Sequence, residues 1–302
     1  MPIFKAVGRG LILTHRLWFG ILAALLFYSA FEALESVLLP YEVKPGQVQR
    51  IPVEQGSRKG YAVFQTPETF TIPEITNPDQ MRAVAAPAIT LLLFSSAVAL
   101  YFLGGILGSA GRLLNFGQAR CSPADFLRAS HQQFLPMLKW GFSLFLLAVG
   151  LMILSGLILA IFFRDKVAAA AQLGKEAAVL PILLFQSISM AMTVLLIFSP
   201  VILVEKGQGV WRSFGESTRF LGRHLLKFMG LFACIVLVAT FVYVFGIFLA
   251  KVVGGMRESL HVAPFAKGWP VFFFKLILDI PLSYLTVFLP ATLTAYYHAA
   301  TR

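Results

Sequence analysis

Charge is scarce in this chain. Asp, Glu, Lys and Arg make up 13% of its 302 residues, against about 25% in soluble domains. A soluble fold needs a charged surface, so the shortage excludes one. Cysteine is nearly absent. Cys121 and Cys234 form neither a disulfide framework nor a metal-type spacing, and they read as small hydrophobes. The five histidines, His15, His131, His224, His261 and His298, give no short metal-binding spacing either. No phosphate-cradling glycine loop and no nucleophile elbow occurs. With no catalytic set in view, the sequence assigns no catalytic, cofactor or metal residue. No nucleic-acid reader motif or basic tail accompanies the net charge of +11. Anionic lipid headgroups are the expected counter-charge, and nucleic acid is not an expected partner.

What the chain has is apolar length. Hydrophobic residues reach 58%, with 29 Phe, and mean hydropathy is +0.79. A membrane-crossing helix needs about 20 mostly apolar residues. Six stretches qualify: Leu17–Leu39, Ala83–Ser109, Leu138–Phe163, Ala177–Val204, Leu225–Val253 and Pro270–Tyr297. The expected fold is an all-α integral membrane protein, a six-helix bundle forming one domain over residues 1–302. Pro181, Pro200, Pro281 and Pro290 fall inside spans or near their ends. They predict kinks or local breaks, because proline lacks the N–H that continues a helix.

Residues 1–16 form a basic leader with Lys5, Arg9 and Arg16. No small-x-small cleavage pattern follows the first apolar run, so an uncleaved signal-anchor is expected. Ile3–Leu17 reads as a short interfacial helix with its apolar face among headgroups. Six spans put both termini on one side. The basic leader and the balance of Lys and Arg in short loops favour the cytoplasm for that side. The outer loop, residues 40–82, then carries β-prone runs at Val48–Val53 and Tyr61–Gln65, separated by Gly56–Gly60. A small β-hairpin and an irregular cap are both consistent with it. Trp269 suits an interfacial anchor.

The two inner connections, residues 111–137 and 205–227, look alike. In the first, Ser122-Pro123-Ala124-Asp125 is a helix start, with a capping serine, proline where its missing N–H costs nothing, and an acid at the positive helix end. Phe126, Leu127 and Phe134 share a predicted apolar face, and Pro136 predicts a turn into the third span. In the second, Lys206-Gly207-Gln208-Gly209 forms a turn. Val210, Trp211, Phe214, Thr218 and Leu221 then follow helical spacing, opposite Arg212, Glu216, Arg219 and Arg223. Both segments are expected to be cytoplasmic amphipathic helices lying in the interface. Their candidate lipid-headgroup contacts are Arg112, Arg128, Arg212, Arg219, Arg223 and Lys227. The likeness suggests duplicated hairpins. The competing reading is that short inner loops of membrane proteins are commonly basic and amphipathic.

Ser199-Pro200-Val201-Ile202-Leu203-Val204-Glu205-Lys206-Gly207, leading into Val210-Trp211-Arg212-Ser213-Phe214-Gly215-Glu216-Ser217, carries a resemblance, as does Thr294-Ala295-Tyr296-Tyr297-His298. From about Ala83 onward the chain resembles a broad family of bacterial multi-spanning proteins. That family includes the membrane domains attached to some glycerophosphodiester phosphodiesterases. No phosphodiesterase domain is attached here, so that activity is not implied. The resemblance implies a multi-pass protein of the bacterial inner membrane.

Ionisable groups inside a span are costly and are functional candidates by default. Glu32 and Glu35 share a face of the first span. Lys275 and Asp279 lie four apart in the last, where they can pair. One reading gathers all four into an outer-half polar site. The other is a Lys–Asp pair plus two interfacial acids. Gln186, Ser187 and Ser189 read as interhelical hydrogen-bonding groups, and Gly104, Gly105 and Gly108 as a packing face. Two functions therefore stand at this stage. One is a scaffold or accessory protein binding anionic lipid or a membrane-protein partner. The other is a transporter or lipid-handling protein built on the outer-half site.

Overall fold

The computed structural model describes residues 3–38, 42–44, 48–55, 58–65, 69–71, 78–117, 120–162, 179–259 and 276–301. Among the described residues, eight helices form the bundle: α1 (Ile3–Arg16), α2 (Trp18–Leu38), α3 (Pro78–Phe116), α4 (Pro123–Phe162), α5 (Val179–Leu196), α6 (Ser199–Lys206), α7 (Val210–Ser259) and α8 (Ile280–Thr301). Between α2 and α3, strand β1 (Glu42–Lys44) pairs with β4 (Thr69–Thr71), and β2 (Val48–Gln55) pairs with β3 (Arg58–Gln65), all antiparallel. Five helices among the described residues are long and apolar enough to cross a membrane. The count is six if α1 and α2 make one bent span. These long apolar helices fit a multi-pass membrane protein.

Both termini and both short helix connections gather at one end, here called the connection end. The backbone N–H of Cys121, in the α3–α4 link, donates to the Arg16 carbonyl at 3.2 Å. At the far end of α1, the Ile3 side chain covers Gly230 of α7. The core sits at this end as well. Phe198 is fully buried against Phe220, Phe228, Tyr296 and Tyr297. The opposite half exposes Leu92, Leu93, Phe241, Tyr243 and Phe248, as lipid-facing helices do.

The leader helix departs from expectation. α1 turns 71° from α2 at Leu17. It buries Ala6, Val7, Gly10, Leu13 and Thr14. Gly10 meets Thr292 of α8 so closely that a Cβ there would fall 2.9 Å from the Thr292 Cα. The apolar face of α1 is thus a protein contact rather than a headgroup contact. Glycine makes the approach, since lipid tails supply no hydrophobic drive between helices and close van der Waals packing must do it.

The first inner connection is also revised. α4 runs unbroken through Pro136, so no turn separates the connection from the third span. From Phe126 to Met137, on both sides of the proline, the helix keeps one face buried, with Phe126, Ala129, Ser130 and Met137 against α3. Continuity of that face offsets the proline. Leu127, expected beside Phe126, is 47% exposed. Gly104, Gly105 and Gly108 are the surface this face packs on. An added Cβ at Gly105 would lie 2.1 Å from Ser130 Oγ and 2.9 Å from Phe126 Cζ.

The fourth span breaks where Pro200 predicted it, between α5 and α6 at residues 197–198. Serines serve the carbonyls around the break. Ser199 Oγ donates to the Leu196 carbonyl at 2.6 Å, and Ser217 Oγ of α7 donates to the Leu195 carbonyl at 2.7 Å. Trp140 Nε1 of α4 donates to Ser199 Oγ at 2.8 Å. A broken helix is tolerated at membrane depth when neighbours satisfy its backbone in this way. The fifth span is kinked at His224 (φ −122°, ψ 20°), which divides the second connection helix from it.

Candidate functional site

The connection end is organised by two glycines. α3 ends at Gly117 (φ 64°) and α6 at Gly207 (φ 60°). Each N–H closes the same bond, Gly117 to the Leu113 carbonyl at 3.1 Å and Gly207 to the Leu203 carbonyl at 3.0 Å. The left-handed conformation costs a residue with a Cβ about 1–2 kcal/mol, so glycine belongs here. Matching the two glycines aligns Asn115 with Glu205. If the helix starts that follow, Pro123 and Val210, are aligned in turn, Ser130 falls on Ser217, both fully buried.

Asn115 and Glu205 are shared by two adjoining depressions. The larger, of about 660 Å³, is lined by Asn115, Glu205, Lys206, Glu216, Arg219, Phe220, Arg223, His224, Tyr297, His298, Ala300 and Thr301. The smaller, of about 160 Å³, lies between α3, α4 and α6 and is lined by Gly108, Gly111, Arg112, Asn115, Ala129, Gln133, Val204 and Glu205. His298 Nε2 sits 3.0 Å from Asn115 Oδ1, a geometry in which the ring N–H donates to the amide oxygen. Lys206 Nζ forms a salt bridge with Glu216. That hydrogen bond holds the Glu216 carboxyl below its ordinary range and the Lys206 ammonium above its own. Gly111 leaves room for Glu205, because a Cβ there would lie 2.7 Å from Glu205 Oε1.

The expected headgroup cations separate into groups. Arg219 and Arg223 line the larger groove, and Arg112 lines the smaller cleft while donating to Gln132. Arg128, Arg212 and Lys227 stand exposed outside both. The expected amphipathic face of the second connection also splits. Phe214 and Leu221 are buried, whereas Trp211 is 65% exposed. Asn115, Lys206, Glu216, His224 and His298 were not singled out as site residues from sequence. The repeated spacing of a polar residue two positions before a capping glycine was the available signal.

An apolar cavity of about 360 Å³ lies deeper, between α3, α4, α5, α6 and α8, with Trp140, Ser189, Thr193, Pro200 and Pro290 among its walls. Ser189 is thus a cavity residue. Of the four expected outer-half polar residues, Asp279 is buried at the start of α8 and accepts from Ser29 Oγ of α2 at 3.0 Å. Glu32 and Glu35 belong to α2, beyond Ser29, with side chains outside the described residues. Lys275 lies outside the described residues altogether. Among the described residues, no group of three or more His, Cys, Asp or Glu could hold a metal ion.

The family model described as "Domain of unknown function (DUF7847)" matches residues 19–300. No curated protein and no solved structure matches the chain.

Proposed function

The chain belongs to the DUF7847 family, and from the arrangement of its connection end we propose that it is a non-enzymatic accessory or scaffold protein of the bacterial inner membrane. In this reading both termini are cytoplasmic, and the connection end binds anionic lipid or a membrane-protein partner. Residues 40–82 form the outer loop in this reading. One observation carries the proposal. Arg128, Arg212, Arg219, Arg223 and Lys227 are all exposed on the helices of that end, and Leu225, Leu226 and Met229, which adjoin Arg223 and Lys227 in the chain, are exposed as well. Cations bordering a lipid-facing apolar belt sit where anionic headgroups lie, each worth about 1 kcal/mol there.

The test is thermal unfolding of the solubilised full chain titrated with lipid. Phosphatidylglycerol is expected to raise the Tm more than phosphatidylcholine, with the difference shrinking as salt is raised. Equal responses to the two lipids would remove the lipid-binding reading. A second reading, a transporter or lipid-handling protein, is favoured by one specific observation. Asp279 is only 6% exposed and is engaged by a serine of another helix, which puts an acid inside the bundle. It predicts that Asp279→Asn abolishes ion-coupled uptake in reconstituted vesicles. Uptake that never appears in the unmodified protein would sink it.

A further inference from the structure

We propose that the groove between α3, α7 and α8 is a discrete site for the phosphate of a membrane lipid, with Arg219 and Arg223 as its anion-binding pair. The inference rests on the lipid-binding reading above and narrows it from a charged surface to one concave site.

Arg219 and Arg223 are four apart on the second connection helix, which puts both on one face, and both line the groove. Among the described residues neither guanidinium joins an ion pair, whereas Lys206 is held by Glu216. Two carboxylates, Glu205 and Glu216, also line the groove, against Lys206, Arg219 and Arg223. With Glu216 engaged by Lys206, the two guanidiniums supply the forked donors that phosphate oxygens take best. Two histidines also line the groove. His298 is positioned by Asn115. His224 packs its ring on Phe220, with centroids 4.9 Å apart, at the kink where the helix turns into the fifth span.

Depth selects a lipid over a free anion. Leu225, Leu226 and Met229, just past Arg223 and His224, are 50%, 88% and 58% exposed, and Phe116 and Trp211 are exposed at the ends of the flanking helices. Exposed aromatics and the start of the apolar belt mark the headgroup level. Arg223 and His224 line the groove immediately before Leu225 and Leu226 in the chain, so in this proposal a lipid places its phosphate between the arginines while its chains stay in the bilayer. A phosphomonoester carries a charge of about −1.5 to −2 near neutral pH, which suits a pair of guanidiniums. Phosphatidic acid is therefore the best probe.

The full chain would be reconstituted in phosphatidylcholine nanodiscs doped with phosphatidic acid, and retained lipid read by native mass spectrometry. The unmodified protein should retain phosphatidic acid well above its share. The Arg219→Gln/Arg223→Gln double variant should lose about tenfold of that enrichment, the scale of a charge-assisted hydrogen-bond contact. A surface control outside the headgroup set, Arg120→Gln/Lys139→Gln, both exposed, should keep it. Arg219→Lys/Arg223→Lys, which retains charge but not the fork, should fall between. A Tm within the unmodified range shows that the groove variant is folded, and the Lys variant supplies the comparison if the Gln variant is not. Unchanged enrichment in the groove variant would overturn the site while leaving general anionic-lipid binding in place. No enrichment even in the unmodified protein would overturn both. Inorganic phosphate competing as well as the lipid would overturn the assignment to lipid.

Discussion

Gly10→Ala tests whether α1 is a docked helix of the bundle or a helix lying in the headgroups. A Cβ at this position would fall 2.1 Å from Thr292 Oγ1, 2.8 Å from its Cβ and 2.9 Å from its Cα. The hydroxyl can rotate away, but the backbone of α8 cannot, so α1 must retreat. Retreat costs the contacts along the buried face of Ala6, Val7, Leu13 and Thr14, each atom pair worth about 0.1–0.2 kcal/mol. Overpacking of this kind costs about 1–3 kcal/mol. Against it stands the better helix propensity of alanine, about 0.8–1.0 kcal/mol. A net loss of up to about 2 kcal/mol is expected. Gly8, two residues away and on another face of α1, with nothing within 4 Å of its added Cβ, is the internal control. Gly8→Ala should gain the propensity term alone. The assay is thermal unfolding in detergent, followed by size exclusion of the surviving monodisperse fraction. The Tm of Gly10→Ala should fall by a few degrees, roughly 2–4 °C per kcal/mol on the scale of soluble proteins, while Gly8→Ala holds or rises. Thr292→Ala in the Gly10→Ala background should recover part of the loss. If Gly10→Ala and Gly8→Ala shift the Tm upward together, α1 does not pack on α8 and the reasoning fails.

Gly105→Ala should destabilise by about 1–3 kcal/mol, because its Cβ meets Ser130 Oγ and Phe126 Cζ; Gly150→Ala, with open space around it, should not, and chemical denaturation of the two side by side decides. Ser217→Ala removes the donor to the part-buried Leu195 carbonyl and should lower stability by about 0.5–1.5 kcal/mol. A Ser217→Ala variant indistinguishable from the unmodified protein would show that the break at residues 197–198 needs no outside donor. Glu216→Gln should cost only a few tenths of a kcal/mol, since its pair with Lys206 is partly exposed. Lys206 holds the Glu216 carboxyl below its unfolded pKa, so the contribution of the charged pair is present at neutral pH and is lost as pH falls through that lowered value. The stability difference between Glu216→Gln and the unmodified protein should therefore shrink only below the ordinary carboxylate range, and a pH series of denaturation midpoints reads it.

The spans were legible because twenty-residue apolar runs leave few alternatives. Leu17–Leu39 appears as α2 (Trp18–Leu38), and the proline at 200 marked a real break. Pro136 misled, because a proline inside a helix shows the bond it removes and not the packing that outweighs it. The buried face of Phe126, Ser130 and Met137 depends on Gly104, Gly105 and Gly108 of another helix, a long-range fact that local spacing does not carry. α1 was read as interfacial for the same reason. Its amphipathic pattern fits a headgroup layer and a neighbouring helix equally well, and only the contact of Gly10 with Thr292 separates them. At the site, the basic residues were visible as a class. What divided Arg219 and Arg223 from Arg128 and Arg212 was the convergence of α3, α6, α7 and α8. That convergence also brings in Asn115 and His298, which are 183 residues apart.

Photoreactive phosphatidic acid in nanodiscs holding the full chain, followed by peptide mapping of the adducts, tests the central claim most directly. Lipid bound through its phosphate at the connection end should label the segments around residues 210–229 and 293–301 above all others, and Arg219→Gln/Arg223→Gln should remove that preference. Labelling spread evenly along the lipid-facing spans, unchanged in the double variant, would contradict the account.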